Sequence, residues 1–193
     1  MDQSNRLVMH SDPAYLTPKA HRTRTSLLVA GRRLVGLHGK AGVNVMAVCA
    51  EAGVGRTSFY KYFEDVEGLL ETVVLEVARD IKANFDHLHS EQPRGRARLK
   101  ACLKMILSVA VEEPETALLL TSLAQTTPEI EGLIRSEIKA ELSAESDPSI
   151  EDVAGLSGFL SITILALARQ FSEGKLAEDS VDRHLRRLLR CIP

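Results

Sequence analysis

Ala52-Gly53-Val54-Gly55-Arg56-Thr57-Ser58-Phe59-Tyr60-Lys61-Tyr62-Phe63 is the stretch that decides how this chain folds. Ahead of it, Val45, Val48, Cys49 and Ala52 keep helical spacing, and Asn44 stands where a side-chain cap is needed. Gly53 ends that helix, because glycine enters the left-handed region at little cost. Val54 is an apolar plug, and a new helix is expected at once over Gly55 to Phe63. Phe59 and Phe63, four apart, share its inner face and leave Arg56, Thr57, Ser58, Tyr60, Lys61 and Tyr62 outward. A helix, a tight turn and a second helix with hydroxyls and cations early in it make a helix-turn-helix.

Working outward, Thr17-Pro18 supplies a cap and a proline at the first helical position. Leu27, Leu28, Leu34, Val35 and Leu37 then keep helical spacing until Gly39. On the other side Asp65 caps a long helix marked by Leu70, Val73, Val77, Ile81, Phe85 and Leu88. Beyond Gln92-Pro93-Arg94-Gly95, helices are expected over Arg96 to Val111, Glu115 to Ala124 and Pro128 to Leu142. After a loop at Ser146-Asp147-Pro148-Ser149 come a long apolar helix, Ile150 to Phe171, and a last one, Glu178 to Arg190. The chain is expected to be all-α, with about nine helices. Residues 1–17 read as a flexible tail, 18–66 as the helix-turn-helix domain, and 67–193 as a second helical domain.

Composition agrees with this and excludes much else. The 193 residues are 45% hydrophobic but only 4% aromatic, with no Trp, which favours helices over a sandwich or barrel. The net charge of −2 hides an asymmetry. Pro18 to Val66 holds eight Lys or Arg against three acids, a net +5, whereas Glu67 onward holds fifteen against twenty-one. The basic end is where an anionic partner docks.

Cys49, Cys102 and Cys191 are too few and too scattered for a disulfide framework or a C-x-x-C metal pair, and a reducing cytoplasm is expected. The apolar run Val153 to Ala168 is broken by Gly155, Ser157, Gly158, Ser161 and Thr163, so no membrane span is expected. No phosphate loop, H-E-x-x-H or G-x-S-x-G is present, and the six histidines are scattered. His87 and His89, two apart near a helix end, read as a solvated pair rather than as metal ligands. No enzyme, cofactor or metal is expected.

The stretch AGVGRTSFYKYFEDVEGLL, within Arg22 to Leu70, resembles the tetracycline-repressor (TetR) family. That family has an Ala-Gly-Val-Ser-like turn, a Leu/Phe-Tyr-x-x-Phe ending and an acidic-apolar start to its fourth helix. The resemblance implies a regulator of transcription, a repressor that leaves a palindromic operator when a small-molecule effector binds. It implies contacts to double-stranded DNA from Arg56, Thr57, Ser58, Tyr60, Lys61 and Tyr62, with Asn44 near a phosphate. It implies a homodimer through the last two helices, where Gly155, Gly158 and Ser161 permit close approach. It also implies an effector pocket among the middle helices, for which the candidates are Leu103, Ile106, Leu119, Thr121, Ser122, Leu123, Phe159 and Thr163, with Leu133 and Gln125 beside them.

The sequence departs from the family where Val66 replaces a lysine and where Val45 and Met46 replace hydroxyl and basic residues. Weak non-specific DNA binding follows, and the rival reading is a helical interaction protein that has lost DNA binding. Arg32 and Arg33 read as a solvated face, and Arg22, Arg24 and Lys40 as replacement charge.

Overall fold

The computed structural model describes residues 17–144 and 152–192. The expected tail before Thr17, the Ser146–Ser149 loop and Ile150 lie outside the described residues. Among the described residues there are nine α-helices and no strand. They are α1 (Pro18–His38), α2 (Val45–Ala52), α3 (Arg56–Phe59), α4 (Val66–Glu91), α5 (Arg96–Glu112), α6 (Pro114–Thr126), α7 (Pro128–Ala144), α8 (Val153–Ser172) and α9 (Val181–Leu189). Single 3-10 turns at Lys40–Gly42 and Glu178–Ser180 precede α2 and α9. The chain divides into two compact units between Glu76 and Val77, within α4.

The helix starts follow from side-chain acceptors that satisfy orphan backbone N–H groups. Thr17 Oγ1 accepts from the Ala20 N–H at 3.3 Å, Asn44 Oδ1 from Ala47 at 3.0 Å, Asp65 Oδ1 from Gly68 at 2.9 Å and Asp152 Oδ1 from Gly155 at 2.7 Å. Gly53 sits at φ 66°, ψ 33°. Its N–H reaches Ala50 O at 3.3 Å while the Val54 N–H reaches Cys49 O at 3.0 Å, the paired bonds of a Schellman ending.

In the first unit, Leu27, Leu28, Leu34 and Val35 of α1, Val48 and Cys49 of α2, Phe59, Phe63, and Leu69, Leu70 and Val73 of α4 are buried. Close approach of α1 to α4 requires Gly31, where a Cβ would stand 2.5 Å from Leu69 Cδ2. Leu69 is fully buried and has little room to yield. Gly31→Val should therefore destabilise the protein by about 1–3 kcal/mol, the usual cost of overpacking, read as a lower urea midpoint with unchanged slope.

Ion pairs brace the same helices. Arg33 pairs with Glu51 of α2, and Arg32 Nη1 lies 3.5 Å from Glu76 of α4. Arg33 is exposed and Arg32 half-buried, so the face expected from sequence is solvated at Arg33, and the ion pairs, with acids distant in the chain, are what the sequence did not announce.

The second unit packs α5 to α9 around one core that includes Leu99, Leu103, Leu107, Ile134, Ile138, Leu142, Leu160, Ile164, Phe171, Leu185 and Leu188. Of the described helices, α8 is long and apolar enough to cross a membrane by length and composition. Here it is a core helix on one side, with Leu160, Ile164, Leu165, Ala168 and Phe171 buried.

Candidate nucleic-acid interface

The recognition segment is shorter than its sequence suggests: α3 spans Arg56 to Phe59, and turns carry the chain through Tyr62. Gly55 brings no side-chain acceptor to the start of α3. At its end the backbone tightens into three-residue bonds, Lys61 N–H to Ser58 O at 3.3 Å and Tyr62 N–H to Phe59 O at 2.9 Å.

Aromatic packing fixes what this short segment presents. Phe59 is fully buried and meets Phe63 with ring centroids 5.8 Å apart, and Tyr60 edge-on at 5.4 Å. The Arg24 guanidinium of α1 lies over the Phe63 ring, 5.6 Å from its centroid. Arg24 is therefore a brace for the recognition segment, a role its sequence position gave no hint of.

Arg56, Thr57 and Lys61 are exposed, Tyr60 is 54% exposed, and Ser58 and Tyr62 are half-buried. Six of the predicted residues thus share one continuous segment, four of them open to solvent. Asn44, on the preceding connection, is exposed but spends its side-chain oxygen on the Ala47 cap. Met46 is exposed on α2, Val45 and Val66 are half-buried, and Arg22 is exposed near the start of α1. The four exposed residues offer a guanidinium, an ammonium, one aliphatic hydroxyl and one aromatic hydroxyl, a donor set that meets phosphates and base edges.

The residues predicted for an effector pocket do not all face one way. Leu103, Ile106, Leu119 and Leu123 are buried in the second unit, as are Thr121 and Ser122. The Thr121 hydroxyl donates to Ala117 O at 2.8 Å within its own helix, and Ser122 Oγ accepts from Arg169 Nη1 at 3.4 Å. Leu133 is half-buried and Gln125 exposed. Phe159 is instead 51% exposed, beside Ile162 at 67%, and the Thr163 hydroxyl is turned onto Phe159 O at 2.7 Å. Phe159 lies on the outer face of α8 because Leu160, Ile164 and Leu165 supply its core face.

The cysteines are free. Burial, with the charges of Glu137 and Glu141 adding to it, pushes the Cys102 thiol far up, so it behaves as apolar filler. His87 and His89 are both exposed, as expected from sequence, and each has an acidic neighbour: His89 Nε2 is 2.7 Å from Glu137 Oε1 and His87 lies 3.4 Å from Glu91.

Comparison with known proteins agrees with this geometry. Residues 27–73 match the model described as bacterial regulatory proteins, tetR family. No curated protein is similar enough to the chain to be matched to it. Among solved structures, a TetR-like transcriptional regulator from Rhodococcus sp. RHA1 has a TM-score of 0.74 at 15% identity, covering 90% of this chain and 96% of that one. The fatty acid degradation regulator FadR from Bacillus halodurans has a TM-score of 0.66 at 17% identity, with coverage of 90% and 96%. NalD, the secondary repressor of the MexAB-OprM multidrug efflux pump in Pseudomonas aeruginosa, has a TM-score of 0.62 at 18% identity, again covering 90% and 96%. Residues 27–73 are thus similar to the N-terminal segment of the bacterial regulatory proteins of the tetR family, and the chain shares the all-helical fold of these solved structures.

Proposed function

We propose that this protein is a dimeric, DNA-binding regulator of transcription in the cytoplasm that represses from a palindromic operator and is released by a small molecule. The observation that carries the reading is the outward set Arg56, Thr57, Tyr60 and Lys61 on a segment clamped by buried Phe59 and Phe63. Residues 18–66 do the reading of DNA and residues 67–193 the sensing and pairing. One such domain covers a single half-site, so a second copy is needed about 34–36 Å away, one helical turn along the duplex.

Pairing is assigned to the last two helices. Gly155, Phe159, Ile162 and Ala166 form an exposed small and apolar stripe along α8, spaced as one helix face, and an apolar face left open to solvent in the single chain supports dimerisation. The effector is assigned to the middle helices, around Leu103, Ile106, Leu119 and Leu123, with Thr121 and Ser122 as polar contacts. Effector binding then favours a state in which α4 shifts and the two recognition segments no longer match successive grooves. Only a difference in effector affinity between the two states drives that release.

Binding to an operator and to unrelated duplex, across a salt series, tests the assignment of residues. Arg56→Ala is expected to relax preference at one base position, costing about 1–3 kcal/mol there. Lys61→Ala should weaken binding on all sequences and lower the salt slope by about 1. Parental affinity in both variants would show that the recognition surface lies elsewhere.

A further inference from the structure

The second unit holds a side-chain cluster that DNA reading leaves unused. Glu137 and Glu141, four apart on α7, place two carboxylates on one face of that helix. His89, in the last turn of α4, sets Nε2 2.7 Å from Glu137 Oε1. One ligand atom from each of the three residues lies within 4.8 Å of the other two. The Glu141 carboxyl is buried, accepting the Gly95 N–H at 2.7 Å through Oε2 and Arg98 Nη1 at 3.3 Å through Oε1. Arg98 is in turn held by the Gln92 and His89 carbonyls, at 2.7 and 3.3 Å.

Within this cluster two carboxylates withdrawn from water meet one guanidinium. A neutral imidazole with two carboxylates at this separation is a ligand set for a cation.

We propose that His89, Glu137 and Glu141 bind one divalent cation, zinc by preference, fastening the last turn of α4 to α7. Zinc sits about 2.0–2.2 Å from such nitrogen and oxygen ligands, so two ligand atoms on one ion are at most about 4.4 Å apart. A small rotamer adjustment closes the site from its present spacing. Each Glu141 oxygen keeps a free lone pair beside the bond it already accepts, and the Gly95 and Arg98 contacts orient the carboxylate as outer partners do around metals. His89 is exposed, which gives the ion a way in from solvent. The His89 to Glu137 hydrogen bond is exchanged for two bonds to the ion.

The full chain, stripped with chelator, is titrated with zinc chloride by calorimetry, and its thermal midpoint is followed with and without zinc. One ion per chain is expected, with a higher midpoint in zinc. His89→Ala and Glu137→Gln should each weaken binding by about 10–100-fold or more and remove the zinc-dependent rise. Neither side chain belongs to the apolar core, so both variants should fold, and their zinc-free midpoints check that directly. His21, His38, His87 and His184 remain in both, so adventitious binding would survive the substitutions. No binding by the parent, or unchanged binding in either variant, overturns the proposal and leaves the DNA-binding reading untouched.

Discussion

Phe59→Ala should cost about 3–5 kcal/mol of folding free energy and abolish specific DNA binding together. The stability loss follows from burial: Phe59 is fully buried, its ring packed against those of Phe63 and Tyr60. Removing the ring forfeits its transfer free energy and leaves a cavity that rigid helices fill only in part. The functional loss follows from length. With four residues in α3 and turns beyond it, the recognition segment has too few backbone bonds to hold its own shape. Its orientation comes from Phe59 and Phe63, so a folded remnant of the variant still presents Arg56 and Lys61 at the wrong angle. Urea unfolding gives the first number and duplex binding at a concentration where the chain is folded gives the second. Near-parental values in both would show that the aromatic clamp is dispensable.

Glu141→Ala is the second large effect, about 3–5 kcal/mol, the usual cost of breaking a buried pair from one side. Glu141 is 2% exposed and serves two donors at once, the Gly95 N–H at the turn before α5 and the Arg98 guanidinium. Alanine leaves both without their acceptor in a site that water does not reach freely, and each lost partner carries a desolvation cost. The isosteric Glu141→Gln keeps an acceptor for Gly95 and should lose less. Denaturant unfolding of the two variants side by side checks the order. Equal, small losses would mean that the turn is held by apolar packing alone.

The parts of the fold legible in the sequence are those set by neighbours a few residues apart. Asn44, Asp65 and Thr17 announce helix starts because a cap reaches only three residues ahead. Gly53 announces the turn because its left-handed backbone is a local property. Phe59 and Phe63 announce an inner face because four residues make one turn. The length of α3 was hidden, since no breaker residue marks the tightening at Tyr60 to Tyr62.

What the sequence concealed depends on long-range pairing. Arg33 meets Glu51, Arg32 meets Glu76 and His89 meets Glu137, partners that no spacing rule brings together. The face of α8 was concealed for another reason. Apolar residues surround that helix, so periodicity does not say that Ser157 and Ser161 are buried while Phe159 and Ile162 are exposed. The serines are tolerated inside because each hydroxyl has an acceptor, Ala154 O for Ser157 and Glu131 Oε1 for Ser161.

Selection of bound sequences from a random duplex library at moderate salt, with the mass of the protein measured in the same buffer, shows whether the recognition segment reads DNA from a dimer. A palindromic motif with half-sites one helical turn apart, bound by a dimer, is expected. A folded dimer that enriches no sequence would contradict it and favour a helical interaction protein in which Val66, Val45 and Met46 mark lost DNA binding.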